Sequence, residues 1–569
     1  MHEALTHWHQ TYTIFGQGLG ISTLLAALPI FILLFILGVL RKAAWIAGTA
    51  GLAATMALAI AGYGMPAKTA VSAALYGGAF GIFPISWIIF WAIALFQVTV
   101  DTGKFEIIRD SVAHLTPDPR LQALLIAFSF GAFLEGGAGF GTPVAVAAAM
   151  MTGLGFSAFS ASALCLLANT APVAFGAIGI PVITLAGITG LPLDRLSTLV
   201  AFLCAPAAMI LPVYLLVVTC GLSTMTGIWL PALAAGISFA VTQVLVSTYI
   251  GPQLSSILAA LTSMIALIAI CRFRSWRSGD PETPEGAACY VPRGTDIRSF
   301  ASEASAEQSN GPLTKIPPKH SAGQILYAWS PYALLVICVI LWGFSSVQKI
   351  LNKASIVLAW PLLHNVVLRM PPVASAPSPY PATFSFNFFS AAGTACMAAT
   401  FLASICLRVS PLRMGKILLR VARQLALPIA TIALVLSIGF LMNYCGATAT
   451  LGLAFASTGK LFPFFSPLLG LLGVFLTGSD TSSNALFGNL QVVTAGHLGL
   501  DPTLVAAANA AGGVMGKMIS VQTIAVAAAA TGLSVMEQAK LFRFTLKHSI
   551  FLGAVIGLLA LLYAYGLHI

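Results

Sequence analysis

Residues Gly131–Ala145 read GAFLEGGAGFGTPVA, and residues Gly473–Phe487 read GVFLTGSDTSSNALF. Each sets a polar, glycine-bearing turn inside a stretch otherwise suited to lipid. A carboxylate such as Glu135 costs roughly 2.5–3.5 kcal/mol at a bilayer centre on insertion scales. A glycine in a helix interior costs about 1 kcal/mol relative to alanine. Residues this unfavourable in a membrane segment persist because a site needs them, and the rest of the chain says what kind of site.

Of the 569 residues 58% are hydrophobic and 8% charged, whereas a soluble domain is about 25% charged. Apolar runs near the ~20 residues needed to cross ~30 Å of hydrocarbon recur along the whole length, without the alternation of barrel strands. The chain therefore reads as an all-α polytopic membrane protein. Its net charge of +11 comes from clusters beside apolar runs, at Arg41-Lys42, Arg272–Arg277 and Arg408–Arg423. These are orientation signals under the positive-inside rule, not a nucleic-acid surface. The nine cysteines are scattered, with no CxxC pair, so neither a disulfide framework nor a metal site is expected. The first apolar run, Ile21–Leu40, has no Lys or Arg before it and a basic pair after it. It reads as a retained first span with the N-terminus outside.

The expected spans are 21–40, 43–61, 74–98, a broken one at 158–189, 196–217, 226–247, 255–271, 326–346, 383–407, 424–443, a broken one at 502–532, and 549–567. That makes about 12 transmembrane crossings plus two re-entrant hairpins. The stretch Leu121–Phe156 is one hairpin, because its two apolar arms of about 14 residues, ~21 Å as helix, are too short to span. Residues 272–324, rich in Arg, Glu, Ser and Pro, read as a cytoplasmic tether between an N-terminal half (1–271) and a C-terminal half (325–569). Residues 349–382 read as an outer loop with a short interfacial helix; Lys349, Lys353 and Arg369 there run against the charge rule.

The two opening stretches belong to an internal duplication. GAFLEG matches GVFLTG, and each is followed about 30 residues on by an Asn in an Ala-rich stretch, Asn169 and Asn509. Both copies close on TGL, at Thr189 and Thr531, and both hairpins are approached through TGK, at Thr102–Lys104 and Thr458–Lys460. The basic clusters place the ends of the first hairpin inside and those of the second outside, so the repeats are inverted. Inverted-topology repeats with broken helices are the architecture of secondary transporters, whose site lies where the breaks meet.

At such a site glycines let the backbone turn toward a ligand, which places Gly136 and Gly137 among the candidates. Half-helix N-termini suit an anion. The candidate substrate and ion ligands are Glu135, Gly136, Gly137, Asn169, Thr170, Ser479, Asp480, Ser482, Ser483, Asn484, Asn509 and Lys517. The repeats differ in charge: Glu135 corresponds to Thr477, Asp480 to Ala138 and Lys517 to Ala177. A carboxylic acid in an apolar cavity favours its neutral form, which makes Glu135 and Asp480 candidate proton carriers. The alternatives are plain: small residues and hydroxyls also serve helix packing, and intramembrane carboxylates also form structural ion pairs. Lys517 either binds substrate or neutralises a carboxylate. His497, near the end of the second hairpin, reads as interfacial. GGAGFGT follows no strand and lacks a Walker Lys-Thr pair, so it is no nucleotide loop.

The segments GAFLEGGAGFGTPVA, NTAPVAFGAIGIP (169–181), GVFLTGSDTSSNALF, GGVMGKMIS (512–520) and LFRFTLKHS (541–549) together resemble the bacterial lactate permease family over nearly the full chain. The resemblance implies an inner-membrane, proton-coupled importer of L-lactate that also accepts D-lactate and glycolate, with no cofactor. Its partners would be a small monocarboxylate, a proton and the lipid bilayer, with homo-oligomerisation left open. The layout is also similar to that of the wider ion transporter superfamily, so a sodium-coupled di- or tricarboxylate carrier is the alternative. Gly137 and Thr142 stand where the family is associated with alanine. An enzyme is not expected, since the sequence offers no His cluster for a metal and no nucleophile paired with a base.

Overall fold

The computed structural model describes residues 7–40, 42–113, 115, 118–139, 142–221, 228–273, 320–374 and 376–567. The chain is helical through its apolar runs because lipid offers no partner for backbone N–H and C=O groups. Helix starts carry side-chain caps, as at Ser157, Ser410, Asp501 and Ser520, and a full capping box at Ser534 with Glu537. Several helices stop at a left-handed glycine, among them Gly190, Gly478, Gly499 and Gly532.

Among the described residues ten helical runs are long and apolar enough to cross a membrane, and eleven if the bent pair Ala158–Ala168 and Val173–Thr189 counts as one span. The expected figure of about twelve also counts two helices that are shorter than this. Residues 255–271 and 392–406 are shorter apolar helices, and one of the ten runs, Ala447–Thr477, contains an arm of the second hairpin. Most of the expected tether falls outside the described residues; the chain resumes as a helix at Ala322, capped by Ser321.

The expectation for 349–382 needs correction. A short helix, Ser345–Leu351, leads into small sheets rather than an open loop. Strands β1 (Trp8–His9), β3 (Val367–Arg369) and β4 (Ser378–Pro379) form one sheet, with β1 parallel and β4 antiparallel to β3. Strands β2 (Ile356–Ala359) and β5 (Thr383–Phe386) form an antiparallel ribbon. β-branched Ile356 and Val357 favour extended backbone, and the prolines between 371 and 381 block a continuous helix. The first residues of the expected span 383–407 are therefore strand, and its helix begins only at Ala392.

The long helix Pro411–Cys445 fixes the two ends of the molecule. At one end Arg413 pairs with Asp101 at 2.5 Å, and Arg420 pairs with the same carboxylate at 3.4 Å. At the other end the Tyr444 hydroxyl donates to Pro381 O at 2.7 Å, beside the sheets. Arg413 and Tyr444 are about 46 Å apart along the helix, more than the ~30 Å hydrocarbon layer. The basic residues and the sheet layer thus cap opposite ends.

The first hairpin rises through helical segments 119–137 and returns as Thr142–Gly153; the second rises as Phe462–Thr477 and returns as Asp480–Leu498. Close approach holds the second hairpin to the broken helix 502–531. A Cβ at Gly470 would overlap the Asn509 carbonyl, and one at Gly512 would overlap the Pro467 carbonyl. Only glycine fits at those crossings.

Candidate functional site

The second hairpin turns at Gly478, and Ser479 accepts a hydrogen bond from the Ser482 amide at 3.2 Å to start the returning helix. The second broken helix stops at Lys517 and restarts at Val521, with Ser520 accepting from the Thr523 amide at 3.2 Å. Both helix starts face one cavity, through Ser479–Ser482 on one side and Gln522, Thr523 and Val526 on the other. Two positive dipole ends therefore meet there.

The first repeat supplies a different geometry. After Gly176 the backbone makes a left-handed turn at Ala177 (φ 45°), Ile178 (φ 61°) and Gly179 (φ 75°) before the helix resumes. Left-handed backbone costs a residue with a Cβ roughly 1–2 kcal/mol, so two such residues in succession are a strained element of the kind found at functional sites. Gly176 and Ala177 line the same cavity, as do Glu135 and Gly139 from the first hairpin.

The cavity holds about 410 Å³ and gathers residues from both hairpins and both helix breaks. Its remaining wall is Ala43–Trp45 and the stretch Leu427–Ile432 of the long helix. Leu427 lies one turn past Arg423, and Ala43 directly follows the basic pair Arg41-Lys42, so part of the cavity wall adjoins basic residues.

Two carboxyls and one ammonium, all buried, meet here: Glu135, Asp480 and Lys517. Lys517 Nζ donates to Gly478 O at 2.8 Å, tying the second break to the second hairpin tip. Its charge acts on both carboxyls. Glu135 also faces the Asn169 amide, and its carboxyl sits directly over Gly176. Among the described residues Glu135 Oε2, Asp480 Oδ1 and both polar atoms of the Asn169 amide are buried without a hydrogen-bond partner. Buried polar groups are ordinarily paired, so these atoms mark a site with capacity for a ligand or a proton.

Of the twelve sequence candidates, Glu135, Ser479, Asp480, Ser482 and Lys517 line the cavity. Asn169 stands behind Glu135. Asn484, Asn509 and Ser483 form a supporting layer. Asn484 Nδ2 donates to Pro181 O at 3.2 Å and lies 3.5 Å from Asp480 Oδ2, while Asn509 Nδ2 donates to Asn484 Oδ1 at 2.9 Å. Gln491 Nε2 donates to Asn509 Oδ1 at 3.0 Å, and Ser483 Oγ donates to Gly470 O at 3.0 Å. Gly136 packs against the Ile257 backbone and Gly137 lies near Tyr332, so both are packing positions. Thr170 donates to Leu167 O at 2.7 Å and is not in the cavity wall. His497 sits exposed in the last turn of the returning hairpin arm. Residues 140 and 141 of the first tip lie outside the described residues.

The sequence reading missed Gln522, Thr523, Thr431 and Trp45. Gln522 and Thr523 follow directly on the Ser520 cap, a signal of a helix start that was legible. Nothing in the sequence brings Trp45 or Thr431 to the repeats.

The L-lactate permease family profile matches residues 22–567. An L-lactate permease of Bacillus subtilis (strain 168) is 41% identical, with 98% of each chain covered. The glycolate permease GlcA of Escherichia coli (strain K12) is 43% identical and an L-lactate permease of the same organism 40%, again over 98% of each chain. The chain belongs to the L-lactate permease family. Within that family it is a multi-pass membrane protein.

Proposed function

We propose that this permease carries a small 2-hydroxymonocarboxylate, L-lactate with D-lactate and glycolate as further substrates, across the bacterial plasma membrane together with a proton. The observation that carries the reading is the ratio of charges in the cavity: two buried carboxyls share one buried ammonium. Uncompensated charge away from water costs several kcal/mol per ion. With one carboxyl protonated the empty site is neutral. Binding an anion then restores neutrality only if one further proton enters, which gives one proton per substrate.

The substrate carboxylate is held by Lys517 and the two helix starts, and its 2-hydroxyl by Ser479, Ser482 or Thr523. Glu135 and Asp480 take the proton. Relatives named for lactate and for glycolate support this class, since both acids are 2-hydroxymonocarboxylates. The cavity wall's adjacency to the basic residues, which mark the inner side, corresponds to an inward-facing state. The hairpin-bearing bundle then moves relative to the long helix to expose the site outward, and the two hairpins play inverted roles on the two sides.

Uptake of labelled L-lactate into proteoliposomes, under separately imposed proton and sodium gradients, tests the proposal. Proton-driven accumulation inhibited by glycolate supports it. Accumulation driven only by sodium and inhibited only by citrate replaces it with the di- or tricarboxylate alternative.

A further inference from the structure

The sheet layer carries charge of the wrong sign for its place. Residues 7–18 and 345–391 contain Lys349, Lys353 and Arg369 and three histidines, with no Asp or Glu. Orientation signals select against cations on the outer side, so these have another use. Arg369 is the most constrained of them. It sits on β3 opposite Ser378, and the next residue is pinned by Met370 N donating to the Tyr12 hydroxyl at 3.0 Å. Its guanidinium carbon lies 5.0 Å from the centre of the Tyr380 ring. Its Nε is buried without a hydrogen-bond partner, and it makes no ion pair among the described residues.

Tyr380 connects this arginine to the transport machinery. Its ring packs on Tyr444 at 4.4 Å, and its hydroxyl faces Asn489 on the returning arm of the second hairpin. Asn489 lies about 13.5 Å along that helix from Asp480.

We propose that Arg369, with Tyr380 and Asn489, forms an outer carboxylate site that captures the substrate anion before it reaches the central cavity. The inference rests on the carboxylate-transport reading above and on the sheet layer facing outward. A guanidinium keeps its charge at all physiological pH values and presents two parallel N–H donors matched to a carboxylate. Tyr380 holds the guanidinium plane, while the phenol and the Asn489 amide offer partners for a 2-hydroxyl. Lys349 and Lys353 add to the field that draws the anion in.

The test is L-lactate transport in oriented proteoliposomes, with KM and maximal rate measured from each side at low and high salt, for the parent, Arg369→Gln and Arg369→Lys. The expected result for Arg369→Gln is an outer KM raised about tenfold at low salt with an unchanged maximal rate of entry, a matching fall in Vmax/KM for exit carried by its maximal rate at unchanged inner KM, and a flatter salt dependence. Arg369→Lys keeps the charge without the fork and falls between; it decides the matter if Arg369→Gln does not fold. An unchanged outer KM, or an equal rise from both sides, overturns the outer site and leaves the transport reading intact. A parent protein that moves no L-lactate overturns the transport reading and this inference with it.

Discussion

Gly176→Ala isolates the placement of Glu135 from the stability of the fold. Gly176 has φ −65° and ψ 157°, which alanine adopts freely. An added Cβ would stand 2.7 Å from Glu135 Oε1 and 3.2 Å from its Cγ. Ordinary contact begins near 3.4 Å, so the carboxyl must retreat by about 0.7 Å. The displaced atoms are the far end of a flexible side chain, so the stability cost falls at or below the lower end of the roughly 1–3 kcal/mol typical of overpacking. Function is more sensitive: a 1 Å misplacement costs about a hundredfold where chemistry depends on geometry, which scales to about 25-fold for this shift. The assay is the initial rate of proton-driven L-lactate uptake at matched reconstitution, with Tm in detergent measured alongside. Gly179→Ala is the contrast, because its φ of 75° and the Pro252 carbonyl at 2.7 Å place the strain on the backbone. It lowers Tm as well as uptake. A Gly176→Ala protein with parental uptake and Tm would refute the role given to Glu135's position.

Glu135→Gln and Asp480→Asn each abolish accumulation against a gradient while leaving lactate exchange measurable, because a neutral amide keeps the shape but carries no proton; a variant that still accumulates lactate does not hold the coupling residue. Lys517→Ala brings uptake to background and destabilises the fold by about 3–5 kcal/mol, the usual consequence of removing one partner from a buried charge cluster; adding Asp480→Asn restores part of the lost Tm. Asn509→Leu orphans Asn484 Oδ1, costing about 1–3 kcal/mol, leaves Gln491 Nε2 only its 3.4 Å bond to Ser466 O, and lowers Tm along with uptake through the loosened Asp480. Asp101→Asn removes an ion pair whose arginines are half exposed, so it costs at most about 1 kcal/mol and leaves uptake at the parental rate.

The sequence announced the membrane, the hairpins and the breaks because each has a local signature. Apolar runs near 20 residues, arms too short to cross, and an aligned Glu135, Asn169, Asp480, Asn509 and Lys517 all lie within a few residues of a recognisable pattern. The sheet layer escaped because its strands are two to four residues long and set among prolines, and because β1 pairs with β3 across more than 350 residues. The division of candidates into cavity wall and supporting layer was also illegible. Asn484 and Asn509 have the same residue type as Asn169, yet Asn509 donates to Asn484 and Asn484 to Pro181 O, while Asn169 faces Glu135 unpaired. Side-chain direction around a broken helix is set by tertiary contact, not by spacing. The left-handed turn at Ala177–Gly179 was hidden for a related reason, since only Gly179 hints at it and Ala177 and Ile178 disfavour it.

In the proposed mechanism one proton accompanies each substrate anion through a cavity holding two carboxyls and one ammonium. Its most direct test is proton movement recorded with a pH electrode while L-lactate enters lightly buffered proteoliposomes without an imposed gradient. One-for-one symport alkalinises the medium by one proton per lactate, an effect lost in the Glu135→Gln, Asp480→Asn double variant. Lactate entry with no proton movement, or with unaltered proton movement in the double variant, would contradict it.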